Sequence, residues 1–428
     1  MLSSYRAAFG GLPRSVWLIS LVAFINRSGT VVLPFLSLYL TQVRGLNGSE
    51  AGVLLAVWGL GAIAGAWLGG TLTDRIGPRP VLLMSLVSGG LSVIILGQLQ
   101  DELSIGVGLF LTALFLDMFR PPLMSSISAA VCPELRPRAF ALARMAVNLA
   151  MTLAPAAGGF LALYSYQLLF WVDGVTCLLA AIALLVAFEA GIPKHAVEAA
   201  DPSTERVEAK RGVGGSLVRF FALLSGHVIV FMQLMFTMPL YLNEHLGLAE
   251  NWVGMVFAVN TVTIVALEML ITHRIEAWRP LRATALGTAL VGLGFGAFAL
   301  GVPLGIDGTA SVVLAFGFAA CATLVWTFGE MVGDPMTVTF VSQQAPPERQ
   351  GRAMAGMAVV FGAGHVVAPL IGMPVYTRFG PTVLWTASLC VALCVSAGYL
   401  ALDRWLVRGA TPPAGSRARP TAPESTST

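Results

Sequence analysis

Apolar residues run along this chain in long blocks separated by short polar stretches. A helix needs roughly 20 apolar residues to cross the 30 Å hydrocarbon core of a bilayer. Twelve blocks meet that length, in 16–41, 50–72, 80–99, 104–131, 139–163, 166–190, 217–242, 251–271, 283–303, 311–341, 353–377 and 382–403. The polar segment 191–216 is the longest between them and divides the blocks six and six. The pattern predicts an all-α membrane protein with twelve transmembrane helices in two pseudo-symmetric six-helix bundles, residues 1–190 and 217–410. Segment 191–216 is then a cytoplasmic linker, and the Pro/Ser/Thr-rich 411–428 a disordered cytoplasmic tail.

Composition removes the soluble alternatives. The chain is 56% hydrophobic and 11% charged, against about a quarter charged in soluble domains. That excludes a soluble multidomain enzyme and a disordered chain. The 25 Lys and Arg nearly balance 22 Asp and Glu, which gives no reason to expect a nucleic-acid partner. Placement is more informative than balance. Twenty-one of the basic residues fall in the loops at one end of the predicted bundle, Arg44 and Arg378 at the other, and Arg27 and Arg120 inside spans. By the positive-inside rule both termini and the linker are cytoplasmic. The expectation is an integral plasma (inner) membrane protein, monomeric, with no removable signal peptide.

The halves repeat. An offset of 214 aligns Pro121 with Pro335, Ser128 with Ser342, Glu134 with Glu348, Arg138 with Arg352, Pro155 with Pro369 and Gly158 with Gly372. TDRIGPRP from Thr73 resembles THRIEAWRP from Thr272. Parallel repeats of this kind are a transporter architecture, with the site between the halves at mid-membrane.

On these residues the chain resembles the major facilitator superfamily over nearly its whole length. The most specific signature is the G-x-x-x-D-R-x-G-x-R loop after span two, here Gly70, Asp74, Arg75, Gly77 and Arg79. The resemblance implies the major facilitator fold and a loop that latches the outward-facing state. Gly70 is expected to let helices approach closely and Gly77 to turn at positive φ. In the second copy His273 replaces Asp74, so the latch should be lopsided. Span five keeps the P-x-x-G-G part of a pattern seen in drug:proton antiporters, at Pro155, Gly158 and Gly159. Small residues there also suit ordinary helix packing.

Charges inside spans are costly, roughly 2.5–3.5 kcal/mol each at mid-bilayer on insertion scales, and so point to function. Asn26 and Arg27 lie in span one. Asp117 and Arg120, three apart, and Glu330 and Asp334, four apart, each share a helix face. The resemblance implies that spans one, four, seven and ten line the cavity, with Gln233 and His227 on span seven. These residues are expected to form one polar substrate and proton site between the halves. Two carboxylates side by side in a low dielectric do not both ionise easily, so Glu330 and Asp334 are the candidate proton carriers, and Arg27, Asp117 and Arg120 are expected to form a charge cluster. Asp173, Glu268 and His365 are weaker candidates. The five cysteines are expected to be small packing residues.

No phosphate-binding loop, metal-ligand cluster or Ser/His/Asp arrangement is legible, so no cofactor, metal or enzymatic activity is expected. The favoured function is a secondary active transporter working by alternating access. It would export a small hydrophobic or amphipathic molecule in exchange for protons, with the lipid bilayer as its setting. The alternative is proton-coupled uptake of a metabolite, sugar or peptide, favoured by the intramembrane arginines. A non-transporting sensor would need a soluble output domain larger than the roughly 25-residue linker.

Overall fold

The computed structural model describes residues 11–132, 135–189, 214–345 and 349–410, so nearly all of the linker and the whole tail lie outside the described residues. Each apolar block forms one spanning helix. They are α1 (Arg14–Val43), α2 (Gly48–Ile76), α3 (Pro78–Gln98), α4 (Glu102–Ala129), α5 (Arg138–Tyr164), α6 (Tyr166–Val186), α7 (Gly215–Phe236), α8 (Glu250–Ile275), α9 (Pro280–Leu300), α10 (Val312–Gln344), α11 (Gln350–Phe379) and α12 (Pro381–Arg408). The described residues contain no strand.

Polar residues begin and end these helices for local reasons. Asn47 accepts from the backbone N–H groups of Ser49 and Glu50, and Glu50 returns a bond to Asn47, a capping box that starts α2. Asp101 accepts from Ser104 at the start of α4. Gly77 ends α2 with φ +85°, the left-handed conformation expected of it.

Three spans are interrupted, α7 only at Met232. In α1 the helix stops at Ser28 and resumes at Leu33. In α4 it stops at Asp117 and resumes at Arg120, because Pro121 and Pro122 have no N–H to give the carbonyls of Asp117 and Met118. Asp117 and Arg120 therefore lie on either side of a break, not on one continuous helix face as their spacing implied.

Within the first six helices, α2 packs on α4, α3 on α6, and α1 on both α5 and α6. Within the last six, α9 packs on α10 and α12, α7 on α11 and α12, and α8 on α10. Small residues bring α2 against α4: a Cβ at Gly61, Gly65 or Gly69 would strike the carbonyl of Phe110, Leu114 or Met118 respectively. Gly70, one residue on, has nothing within 4 Å of where its Cβ would be. The close approach expected at Gly70 belongs to its neighbour Gly69.

The two sets of six meet chiefly through α2 with α11 and α5 with α8. These contacts concentrate at the end of the bundle away from Arg14 and Arg408. Gly48 abuts Thr377, Gly52 abuts Pro369 and Met373, and Gly59 abuts the backbone of His365. Gly159 abuts Glu250 and Asn251, while Gly254 abuts Pro155 and Gly159. Two side-chain hydrogen bonds cross between the sets at this end. Gln42 Nε2 donates to Asn243 Oδ1 at 2.6 Å, and Tyr166 Oη donates to Glu250 Oε1 at 2.9 Å. Among the described residues, no close glycine contact between α2 and α11 lies nearer the other end than Gly362 against Ile63. One end is closed by close-packed small residues, and the helices part towards the other.

Candidate functional site

The break in α1 organises the first group of charges. An interrupted helix inside a bilayer leaves backbone donors that must find partners within the protein. Asp173 of α6 supplies one, its carboxylate accepting the N–H of Val32. Gly29 permits this, because a Cβ there would collide with Thr176 one turn further along α6. Arg27 occupies the last turn before the break. Beside it the buried Asn26 donates to Cys177 Sγ at 3.4 Å, and Cys177 donates towards Asp173 Oδ1 at 3.8 Å.

Arg27 is within electrostatic reach of Asp117, Arg120 and Asp173, and Asp117 is also within reach of His365 on α11. Neither Arg27 nor Asp117 makes an ion pair within 4 Å or a side-chain hydrogen bond among the described residues. Arg120 is exposed. This mixed group lies in the first half, with His365 reaching it from the second.

The second group contains only acids and neutral donors. Asn260 of α8, 6% exposed, donates to Thr327 Oγ1 at 3.1 Å and to Glu330 Oε2 at 3.0 Å. The charges that act on Glu330 are those of Asp334 and Glu268, and Glu268 acts on Asp334 as well. No cation figures among them. Pro335, within α10, leaves the carbonyl of Met331 without its helical donor, directly beside this group.

The side-chain polar atoms of Arg27, Asp117, Glu330 and Asp334 are not among those sealed from solvent-sized space without a partner. The five intramembrane charges thus fall into two groups, one in each half. No hydrogen bond or ion pair joins those groups among the described residues. They correspond to the acidic pair and the Arg27, Asp117 and Arg120 cluster expected from the sequence.

Gln233 belongs to neither group. It is 2% exposed. Its amide donates to the carbonyls of Ile229 and Ala368, at 3.1 and 3.2 Å, and accepts from Thr237 at 2.9 Å. That fastens α7 to α11 and leaves little for a ligand. His227 is likewise buried, with Thr288 Oγ1 at 3.1 Å from Nδ1. His365 turns Nδ1 to the Phe361 carbonyl at 2.9 Å. A carbonyl only accepts, so Nδ1 carries the proton and Nε2 does not, in the neutral ring.

The loop after α2 has Asp74 and Arg75 exposed, and Asp74 makes no side-chain hydrogen bond or ion pair among the described residues. The matching loop after α8 is held differently. Asp403 of α12, 5% exposed in its side chain, pairs with Arg279 Nη2 at 2.8 Å and Arg282 Nε at 3.0 Å. Of the span-five residues, Gly158 seats against Val31 and Phe35 of α1, and Gly159 against α8. Pro155 presents its carbonyl to Gly254. All three residues make helix contacts.

Sequence reasoning overlooked Asn260, Asp403, Tyr166 and Glu250, and gave too little weight to Asp173 and Glu268. Asn260 had a legible signal, being one amide in the apolar run VFAVNTVTIV. The packing expectation for cysteines holds for Cys177 alone, and that thiol also bridges polar groups. Cys132, Cys321, Cys390 and Cys394 are exposed.

Twelve membrane-spanning helices in two repeated sets, with ionisable side chains within the spans, have the architecture of a membrane transporter. The family model of the Major Facilitator Superfamily matches residues 16–332, and the chain belongs to that family. It is 23% identical over 414 residues to a Na(+), Li(+), K(+)/H(+) antiporter of Planococcus maritimus, covering 89% of this chain and 92% of that one. It is 22% identical over 352 residues to the multidrug resistance protein MdtH of Citrobacter koseri, covering 78% and 81%. Among solved structures, a peptide transporter POT in complex with sulfate superposes with a TM-score of 0.78 at 15% identity, over 94% of this chain and 96% of that one. That likeness supports the fold.

Proposed function

We propose that this transporter is a proton-coupled antiporter of the plasma membrane that exports a small amphipathic molecule carrying positive charge. The observation that carries this reading is the group Glu268, Glu330 and Asp334, three carboxylates with no cation acting on the latter two. Uncompensated negative charge within a membrane span is costly. Such a group is relieved either by protons or by a cationic cargo, and one group that accepts either in turn exchanges them. Relatives that include a monovalent cation/proton antiporter and a multidrug resistance protein fit such an exchange.

In this reading, which the distribution of Lys and Arg supports, the termini are cytoplasmic, the end where the helices part faces the cytoplasm and the closed end faces out. Cargo and proton would then reach Glu330 from the cytoplasm in this state. Asn260 holds one carboxylate oxygen of Glu330 and leaves the other for either. Rocking of the two sets about the α2–α11 and α5–α8 contacts would carry the group to the other side. Residues 1–190 and 217–410 are the rocking bodies in this reading.

Reconstituted vesicles with an imposed pH gradient test it. Flux of a lipophilic cation such as tetraphenylphosphonium should run against proton flux, and Glu330→Gln and Asp334→Asn should each uncouple the two. Full gradient-driven transport by both variants would falsify the proton role. Movement of cargo and protons in the same direction would instead establish uptake of a metabolite, sugar or peptide, for which Arg27, without an ion pair, offers an anion contact.

A further inference from the structure

At the closed end, on the first half only, lies a cavity of about 280 Å³. It is near the lower size bound of small-molecule sites, roughly 300 Å³. Its walls come from the end of α1, the turn between α3 and α4, and the turn between α5 and α6. It shares no residue with either charge group described above.

The chemistry of the walls is one-sided. Arg44 is one of only two cations in the loops at this end, where positive charge is otherwise avoided. Its Nε donates to Tyr39 Oη at 2.7 Å, the guanidinium sits 5.1 Å from the Tyr39 ring, and Nη2 makes a long contact of 3.5 Å with the Gly97 carbonyl. A guanidinium has five N–H donors, so three remain, on a side chain already fixed in place.

The amides add to the excess. Gln167 Nε2 donates to Gln98 Oε1 at 2.8 Å, which leaves both hydrogens on the Gln98 nitrogen. Ser165 Oγ accepts the backbone N–H of Gln167 at 3.1 Å and keeps its own hydrogen to give. Gln100 lines the same space. No carboxylate does. Asp101, next in the chain, is engaged by the Ser104 N–H at 2.8 Å, and Glu250 by the Tyr166 hydroxyl at 2.9 Å.

We infer that this cavity is a second binding site, apart from the transport path, for a small anionic oxygen ligand. A carboxylate or phosphate group would be held by the free face of the Arg44 guanidinium, with the Gln98 and Gln100 amides and the Ser165 hydroxyl around it. Arginine suits such a group because its planar donors match two oxygens at once. The group could belong to a free anion or to the headgroup of an anionic lipid at the membrane surface. The wall also includes Tyr166, whose hydroxyl bonds to Glu250 of the second half. The site therefore adjoins one of the bonds that hold the two halves together.

The test uses the full-length protein. Equilibrium dialysis in lipid-free detergent with labelled succinate, and separately with inorganic phosphate, should show saturable binding of at least one. Nanodiscs of neutral lipid, with and without phosphatidylglycerol, separate the sources: competition by phosphatidylglycerol assigns the site to a headgroup, and its absence to a free anion. Arg44→Gln should weaken binding about tenfold or more, as expected for loss of charged hydrogen bonds. Ser165→Trp, which fills the cavity from an exposed position, should do the same if the arginine variant does not fold. Absence of saturable binding by succinate, phosphate and phosphatidylglycerol alike, or binding indifferent to both substitutions, overturns the proposal.

Discussion

The two halves of this transporter share one repeat pattern, yet the first holds a mixed group of charges and the second a purely acidic one. The first half gathers Arg27, Arg120, Asp117 and Asp173 around a broken helix. The second gathers Glu268, Glu330 and Asp334 on unbroken backbone apart from one proline. The repeat that aligns Arg120 with Asp334 places a cation in one half where the other has an acid. The loops diverge in the same way, since Asp74 stands exposed after α2 while the loop after α8 is tied to α12 through Asp403. A shared scaffold thus fixes helix positions and leaves side-chain charge free to differ.

The largest effect should come from neutralising one acid in each half. Glu330→Gln should reduce pH-gradient-driven flux by roughly 5- to 150-fold, the usual span of a coupling free energy between sites. Asp117→Asn should reduce it less, because Asp117 and Arg27 make no ion pair within 4 Å. Measured in the same vesicles, the reverse order would transfer the proton role to the first half.

Next come the two loops. Asp403→Asn removes the buried charge and replaces one of the two acceptor oxygens that Arg279 and Arg282 use by an NH2 donor, and thermal unfolding in detergent should show a loss of about 1–3 kcal/mol, reduced from the buried limit because both arginines are partly exposed. Asp74→Asn should change stability by no more than about 0.5 kcal/mol. Equal losses would mean that the first loop is held as firmly as the second.

Adjacent glycines sharpen the packing side of the comparison. Gly65→Ala drives a Cβ into the Leu114 carbonyl and should cost about 1–3 kcal/mol. Gly70→Ala meets open space and should be neutral in the same assay, or slightly stabilising through the higher helix propensity of alanine. The smallest effect belongs to the closed end. Tyr166→Phe removes one cross-half bond worth about 0.5–1.5 kcal/mol. Spin labels on α5 and α8 should report a modest gain in the population open at that end.

The span count, the repeat and the approximate helix ends were legible because bilayer thickness imposes a length on every apolar run. The positive φ at Gly77 was legible from a glycine placed just before Pro78 in the loop between two spans. The tertiary partners of the charges were not legible. Spacing along a helix tells which residues share its face but not which helix that face meets. Arg27 could be placed in span one, while its neighbour Asp173 comes from a span more than a hundred residues later. Gln233 misled for the same reason. A polar residue in a predicted cavity helix reads as a ligand contact until the Ala368 carbonyl, 135 residues on, is seen to occupy it.

The paired prolines of α4 have a mechanical consequence. Two missing rungs in the backbone ladder turn what would be a stiff rod into a jointed lever, with Asp117 on one arm and Arg120 on the other. Flexing that joint changes the separation of two opposite charges, and their mutual energy varies inversely with that separation. In the transport cycle proposed above, a bend at this joint would couple movement of the helix tip to the energy of that charge pair.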